Sequence, residues 1–300
     1  MAILDKVADR QAQWSQTADS LKKSLGRARW WVFFLSVSGA LAASIASQIG
    51  PSGAPVAVGN FANPRGWAAI AGVLCLAFST FLVSRLLGAA SVSNWARARA
   101  ISEGLKREAF RFATRSAPYD DPDPDKNETK LDDERRGIED DGADLIASLV
   151  AKSGSGSTPR MFLGEPDYRA LRVQKAIDWY RRKGGEHRKT ATRLGRTEFA
   201  LSAVATVVTA LSTISGKWTI GGVQLDFLAF TAVLTTLGGA ILAHVEALRL
   251  HDLVMTYFAT ARRLEDKKDR PGLSFSALVS DCEDIIATEN SGWIAKWTKD

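Results

Sequence analysis

Residues Leu25–Ile49 read "LGRARWWVFFLSVSGALAASIASQI", and residues Leu194–Ile214 read "LGRTEFALSAVATVVTALSTI". Both open on Leu-Gly-Arg and run straight into a long apolar stretch rich in Ser, Thr and Ala. The chain therefore carries one structural unit twice. Mean hydropathy over the whole chain is near zero, but that average hides a segregation of apolar blocks from charged ones. The apolar blocks run roughly over Trp30–Ile49, Trp67–Leu87, Thr197–Ile214 and Phe227–Ala243. Each is close to the ~20 residues that a helix needs to cross a bilayer core of ~30 Å. The start of the chain is too charged to form the apolar core of a cleavable signal, so the first span is expected to serve as its own signal.

Lys and Arg flank these blocks unevenly. Lys22, Lys23, Arg27 and Arg29 precede the first, Arg97, Arg99, Lys106 and Arg107 follow the second, and Arg188, Lys189, Arg193 and Arg196 precede the third, while the short connecting loops hold only Arg65 and Lys217. By the positive-inside rule, both termini and the long central segment are expected in the cytoplasm. The net charge of +6 then follows from topology, since juxtamembrane cations meet anionic lipid head groups, and no nucleic-acid partner is implied. Cys75 lies inside a span and Cys282 in a charged arm, so this topology keeps them apart and implies no disulfide.

The repetition extends beyond the spans. After the second block comes "SNWARARAISEGLKREAFRF", and after the fourth "VMTYFATARRLEDKKDR", each placing an aromatic residue eight positions before a glutamate: Trp95 with Glu103, Tyr257 with Glu265. Upstream of each first block lies a polar helical arm. Such internal self-similarity is the signature of duplicated architecture. The sequence thus predicts an all-α membrane protein with four transmembrane helices in two repeated hairpins, whose long cytoplasmic helical arms form a bundle. Its expected divisions are a first two-span repeat over 1–116, a linker over 117–160 and a second repeat over 161–300. The linker, "APYDDPDPDKNETKLDDERRGIEDDG" followed by a Gly/Ser stretch, is acidic and poor in aromatic residues, a composition expected to be largely disordered. Asp121, Asp123 and Asp125 alternate as in a calcium loop but lack its glycine and closing glutamate.

The second half resembles the SLATT family, the SMODS and SLOG-associating two-transmembrane effector domains of bacterial nucleotide-signalled conflict systems. The resemblance rests on Trp179-Tyr180 before the basic run and span, on Tyr257 and Glu265 after the hairpin, and on Glu289 four residues before Trp293. It reaches the first half through the hairpin and through Trp95 and Glu103, although no Glu-x-x-x-Trp closes that half. It implies a membrane effector, here as a tandem of two copies, that self-associates and permeabilises or perturbs the bacterial inner membrane. It further implies a cytoplasmic partner that senses or synthesises nucleotides. A non-conducting scaffold that recruits partners through its helical arms, and a small-ion channel or transporter, are the other two classes compatible with the residues.

No phosphate-binding glycine loop, nucleophile elbow or metal-spaced cysteine pair occurs, so no enzyme, metal or cofactor is expected. The candidate site is instead a set of small and hydroxylated stripes on the spans. Ser36, Gly39, Ala43 and Ser47 form one, Ser202, Thr206, Thr209 and Thr213 a second, and Thr231 with Thr235 a third, each at helical spacing. Such stripes serve close helix packing or line a water-filled path in an oligomer. Arg85, Glu198, His244 and Glu246 are charged or titratable groups at span ends, where they can snorkel, and Arg85 and Glu198 are positioned by sequence to pair.

Overall fold

The computed structural model describes residues 2–48, 64–150, 158–215, 218–220, 223–225 and 227–298. Among them, nine α-helices dominate: α1 (Ala2–Gln48), α2 (Pro64–Leu86), α3 (Ala89–Ala113), α4 (Pro124–Asp140), α5 (Glu165–Tyr168), α6 (Lys175–Ser215), α7 (Phe227–Ala247), α8 (Leu250–Lys268) and α9 (Phe275–Thr298). A π-turn over Arg169–Gln174 joins α5 to α6, and a 3-10 turn spans Ala143–Ser148. Four helices are long and apolar enough to cross a membrane. The connection between α6 and α7 adds an element that the helical reading did not foresee. It is an antiparallel ribbon, β1 (Trp218–Ile220) and β2 (Val223–Leu225), with Thr219 opposite Gln224.

The described residues form two compact units that regroup the chain across the expected domain boundaries. One contains residues 1–25, 88–185 and 253–300; the other contains 26–87 and 186–252. The charged arms of both repeats thus belong to the first unit and all four spans to the second. The second repeat changes unit close to a short break between α7 and α8, where Arg249 takes a positive φ of 46°. A matching break at Leu87-Gly88 separates α2 from α3.

In the charged unit, α3 packs against both α4 and α9. It buries Ala98, Ile101, Leu105, Ala109 and Phe112 at three- to four-residue spacing, and Trp95, Ser102 and Phe110 on adjoining faces. A helix buried this far round needs neighbours on more than one side. Leu4, Val7 and Trp14 of α1, Ile177 of α6, Leu264 of α8 and Leu278 of α9 complete the core.

The expected disordered linker is corrected here. Residues 124–140 form α4, capped by Asp123, whose carboxylate accepts the Asp125 amide N–H at 3.0 Å, with Pro124 at the first helical position. Asp and Asn favour the N-cap because their side-chain oxygen satisfies an amide left open by the first turn, and Pro suits that turn because it has no N–H to lose. The helix buries one face through Leu131, Arg135 and Glu139, spaced by four. Beyond it, Gly142 lies where an added Cβ would come within 2.4 Å of Ile101 and 2.8 Å of Trp14. The acidic composition concealed an amphipathic helix whose inner face is one leucine and a neutralised Arg–Glu pair. Residues 151–157 of the expected linker lie outside the described residues.

Leu131 is fully buried, so Leu131→Ala should cost about 2–5 kcal/mol through lost transfer energy and a residual cavity. A clear fall in the melting temperature of the detergent-solubilised protein is expected, while the exposed Lys130→Ala should leave it nearly unchanged. Equal melting temperatures for both variants would restore the linker reading.

Candidate functional site

In the spanning unit, the stripe on the first span meets α2. Gly39 approaches Gly72 so closely that an added Cβ on Gly39 would stand 3.2 Å from the Gly72 carbonyl oxygen and 2.8 Å from Leu76 Cγ, while one on Gly72 would stand 3.2 Å from the Gly39 oxygen and 3.3 Å from the Ala43 amide nitrogen. The Ser36 and Ser79 hydroxyls hydrogen-bond at 2.9 Å. The buried residues of α2 are Gly66, Gly72 and Ser79, and small side chains of this kind let helix backbones approach in a membrane. Ser47 turns its hydroxyl back to the Ser44 carbonyl at 2.6 Å.

The third span differs. Its buried positions are Ala205 and Ser212, seven residues apart, whereas Ser202, Thr206 and Thr213 are exposed. Thr206 and Thr213 donate to carbonyls of their own helix, those of Ser202 and Thr209. Thr209 is the one that reaches across, donating to the Thr231 hydroxyl at 3.3 Å, and Thr235 bonds back to Thr231 and Ala232 within α7. The seam of α7 is apolar, with Val233, Ile241 and Val245 buried. Sequence spacing found the hydroxylated line; the packed seam runs beside it.

At the span ends, the expected Arg85–Glu198 ion pair does not form among the described residues. Arg85 is exposed, and Glu198 accepts the Ser202 hydroxyl at 3.1 Å from the next turn of its own helix. His244 sits against Phe33 with ring centroids 6.2 Å apart. Glu246 is exposed. Val245 packs with Ala191 and Leu250.

In the charged unit, the aromatic and acidic motif positions come together. Trp179 and Tyr180 lie 5.4 and 5.6 Å from the Tyr257 ring, and the buried Tyr180 hydroxyl donates to Glu289 at 3.0 Å. Burial, then Glu289 and Glu103, push the Tyr180 hydroxyl pKa well up, so it stays a donor. Glu265 is half-buried and pairs with Arg181 at 2.6 Å. Trp95 is buried within α3. Trp293 falls within α9, its side chain outside the described residues.

Sequence reasoning missed the most deeply buried charges. Glu283 has no solvent exposure. Its two oxygens accept from Arg172 Nε at 2.8 Å and Nη2 at 2.6 Å, and Oε1 also accepts the Tyr168 hydroxyl at 3.0 Å. The Arg172 guanidinium lies 4.8 Å from the Phe110 ring centre. A second buried carboxylate, Glu139, accepts Trp14 Nε1 at 2.9 Å and pairs with Arg10 and Arg135, both at 2.5 Å. Trp14 with Glu139, and Tyr180 with Glu289, thus repeat one device: an aromatic donor on the helix entering the hairpin is tied to a carboxylate on a helix that follows the hairpin. An arginine four residues before Glu139 was the only local signal for it.

Beside this network lies a cavity of about 710 Å³. Its wall includes Arg99, Glu103, Lys106 and Trp179, with Lys22 and Lys183 among its other cations. Arg99 stands over the Trp179 ring at 5.8 Å. Burial alone would raise the Glu103 carboxyl pKa, but Lys106, Arg99 and Arg172 outweigh it and hold the group below its ordinary value. The Lys106 ammonium is pulled down by burial and then by Arg172, and that of Lys22 by burial and then by Arg99 and Lys183. The cavity gathers seven cationic side chains and three carboxylates, with Glu283 and Glu289 acting on its cations from close by.

Comparison with known protein families separates the two halves. Residues 168–293 match the SMODS and SLOG-associating 2TM effector domain 1, and residues 12–127 match a protein family of unknown function, DUF4231. Each match frames one hairpin and its flanking arms. No curated protein and no solved structure matches the chain. The part of this membrane chain that carries the Trp179, Tyr180, Tyr257 and Glu289 cluster is thus similar to a two-span effector domain, over somewhat less than half of the chain.

Proposed function

We propose that the chain is a bacterial inner-membrane effector that self-associates and permeabilises or perturbs the bilayer, with both termini in the cytoplasm, in a nucleotide-signalled defence system. The observation that carries this reading is the exposed hydroxylated face of the third span, within the part similar to a two-span effector domain. Ser202, Thr206 and Thr213 are exposed, and Thr206 and Thr213 satisfy their hydroxyls within the helix. Such a face carries polarity without fixed charge. Four spans enclose too narrow a space for a wide path, so several chains would have to contribute this face to one lumen. A cytoplasmic partner that senses or makes a nucleotide would supply the trigger.

Leakage tests the lining role. Thr206→Val with Thr209→Val removes two hydroxyls at nearly constant shape, and the one interhelical bond lost is worth about 0.6 kcal/mol on average in a membrane. The double variant should therefore insert and assemble as the wild type does. An apolar lining favours dewetting at a constriction, so it should lose most ion leakage from liposomes carrying equal amounts of protein and any required activator. Equal leakage from an active wild type and the variant would remove this face from the path.

Orientation is tested separately, in a background lacking Cys75 and Cys282. A cysteine at Ser52 or Gly221 should react with an impermeant maleimide added to spheroplasts, and one at Ser155 should not. Labelling at Ser155 would reverse the topology.

A further inference from the structure

The cavity in the charged unit is lined by residues of that unit alone. Seven cationic side chains and three carboxylates line it. Arg172 is paired with Glu283, and the Arg99 charge is offset by Glu103 on the wall and by Glu289 close by. Arg99 and Lys106 sit half-buried in the wall, while Lys22, Lys175 and Arg182 are exposed toward its mouth. Among the described residues, Lys106 makes no hydrogen bond and no ion pair within 4 Å.

A folded chain has little reason to gather like charges in this way. Each added cation raises the cost of the next, and burial raises the cost of each further. The depressed Lys106 ammonium records that cost, whereas Glu103, Tyr257 and Glu289 hold the Arg99 charge in place. The cost is recovered when an anion enters, because hydrogen bonds between ionised partners are about twice as strong as neutral ones. A lone carboxylate would meet only part of an arrangement spread around 710 Å³, a volume within the ordinary range of small-molecule sites. A ligand with several phosphate charges would meet most of it, and a guanidinium fork such as that of Arg99 matches phosphate oxygens in geometry.

We propose that the cavity formed by α1, α3 and α6 in the charged unit binds a multiply charged phosphorylated ligand, with Lys106 and Arg99 as its inner contacts and Lys22 and Lys183 closing around it. The phosphate chemistry is that of a free phosphorylated small molecule or of a lipid head group.

The test uses the full chain in nanodiscs of zwitterionic lipid, with inorganic triphosphate as the probe. Triphosphate should raise the melting temperature and bind measurably by calorimetry. Lys106→Gln should weaken that binding about tenfold or more, as loss of a charge-assisted contact does, while its ligand-free melting temperature stays level or rises because repulsion is relieved. Lys130→Gln, the same charge change on the exposed face of α4, should alter affinity less than about twofold. A lysine with a purely structural role gives the opposite pattern, a lower ligand-free melting temperature with unchanged affinity, and would overturn the proposal.

A parallel arm replaces triphosphate by nanodiscs containing phosphatidylglycerol. Stabilisation there that depends on Lys106, with none from triphosphate, assigns the site to a lipid head group. No Lys106-dependent response to either probe overturns it. Binding is read without leakage, so this result and the test of permeabilisation stand or fall separately.

Discussion

A carboxylate with no access to solvent, Glu283, is the constraint around which the charged unit is arranged. Removing an ionised group from water costs several kcal/mol unless each of its oxygens finds a donor. Here both do: Arg172 binds it in a two-pronged fork and Tyr168 adds a third hydrogen bond. The requirement reaches outward from there. Arg172 projects from the π-turn ahead of α6, a local widening of the helix of the kind that recurs at functional sites. Its guanidinium rests against Phe110 of α3, an element of the first half of the chain. The neighbouring thiol of Cys282 is pushed up to about 12 by burial and by Glu283 and Asp281, which leaves it protonated.

The two halves solve the same problem with different residues. In each, an aromatic N–H or O–H on the entering helix is tied to a buried carboxylate on a helix that follows the hairpin: Trp14 with Glu139, Tyr180 with Glu289. The partners then diverge. Glu139 is neutralised by Arg10 and Arg135, whereas Tyr180 joins an aromatic cluster with Trp179 and Tyr257 under Arg99. The matched positions Glu103 and Glu265 diverge as well, one on the wall of a cavity and the other half-buried beside Arg181. Duplication supplied the frame, and the asymmetry placed a cation-rich cavity beside one copy of the device.

The spans were legible in the sequence because a bilayer demands long apolar runs, and those runs survive as contiguous letters at Trp30, Trp67, Thr197 and Phe227. The Leu-Gly-Arg anchors and the paired Trp95–Glu103 and Tyr257–Glu265 spacings made the repeat legible too. What stayed hidden depends on pairing between distant residues. Composition describes 117–150 as solvated acid, yet Arg135 and Arg10 neutralise Glu139 and let Leu131 into the core. The Arg172–Glu283 fork joins residues 111 positions apart, and neither member has a local signature. The hydroxyl stripe of the third span was found by spacing, but Ala205 and Ser212 form its seam because packing selects small volume ahead of polarity.

A buried fork, supported by one aromatic ring from each half of the chain, organises the charged unit. A double-mutant cycle on Arg172→Met and Glu283→Gln, read by urea unfolding of the detergent-solubilised protein, tests it most directly. Each single variant leaves a buried charge without its partner and should lose about 3–5 kcal/mol. The double variant should lose less than the two combined, with a coupling of about 2 kcal/mol or more. Losses below about 1 kcal/mol for each single variant that simply add in the double would show that the pair is incidental, and would contradict the account.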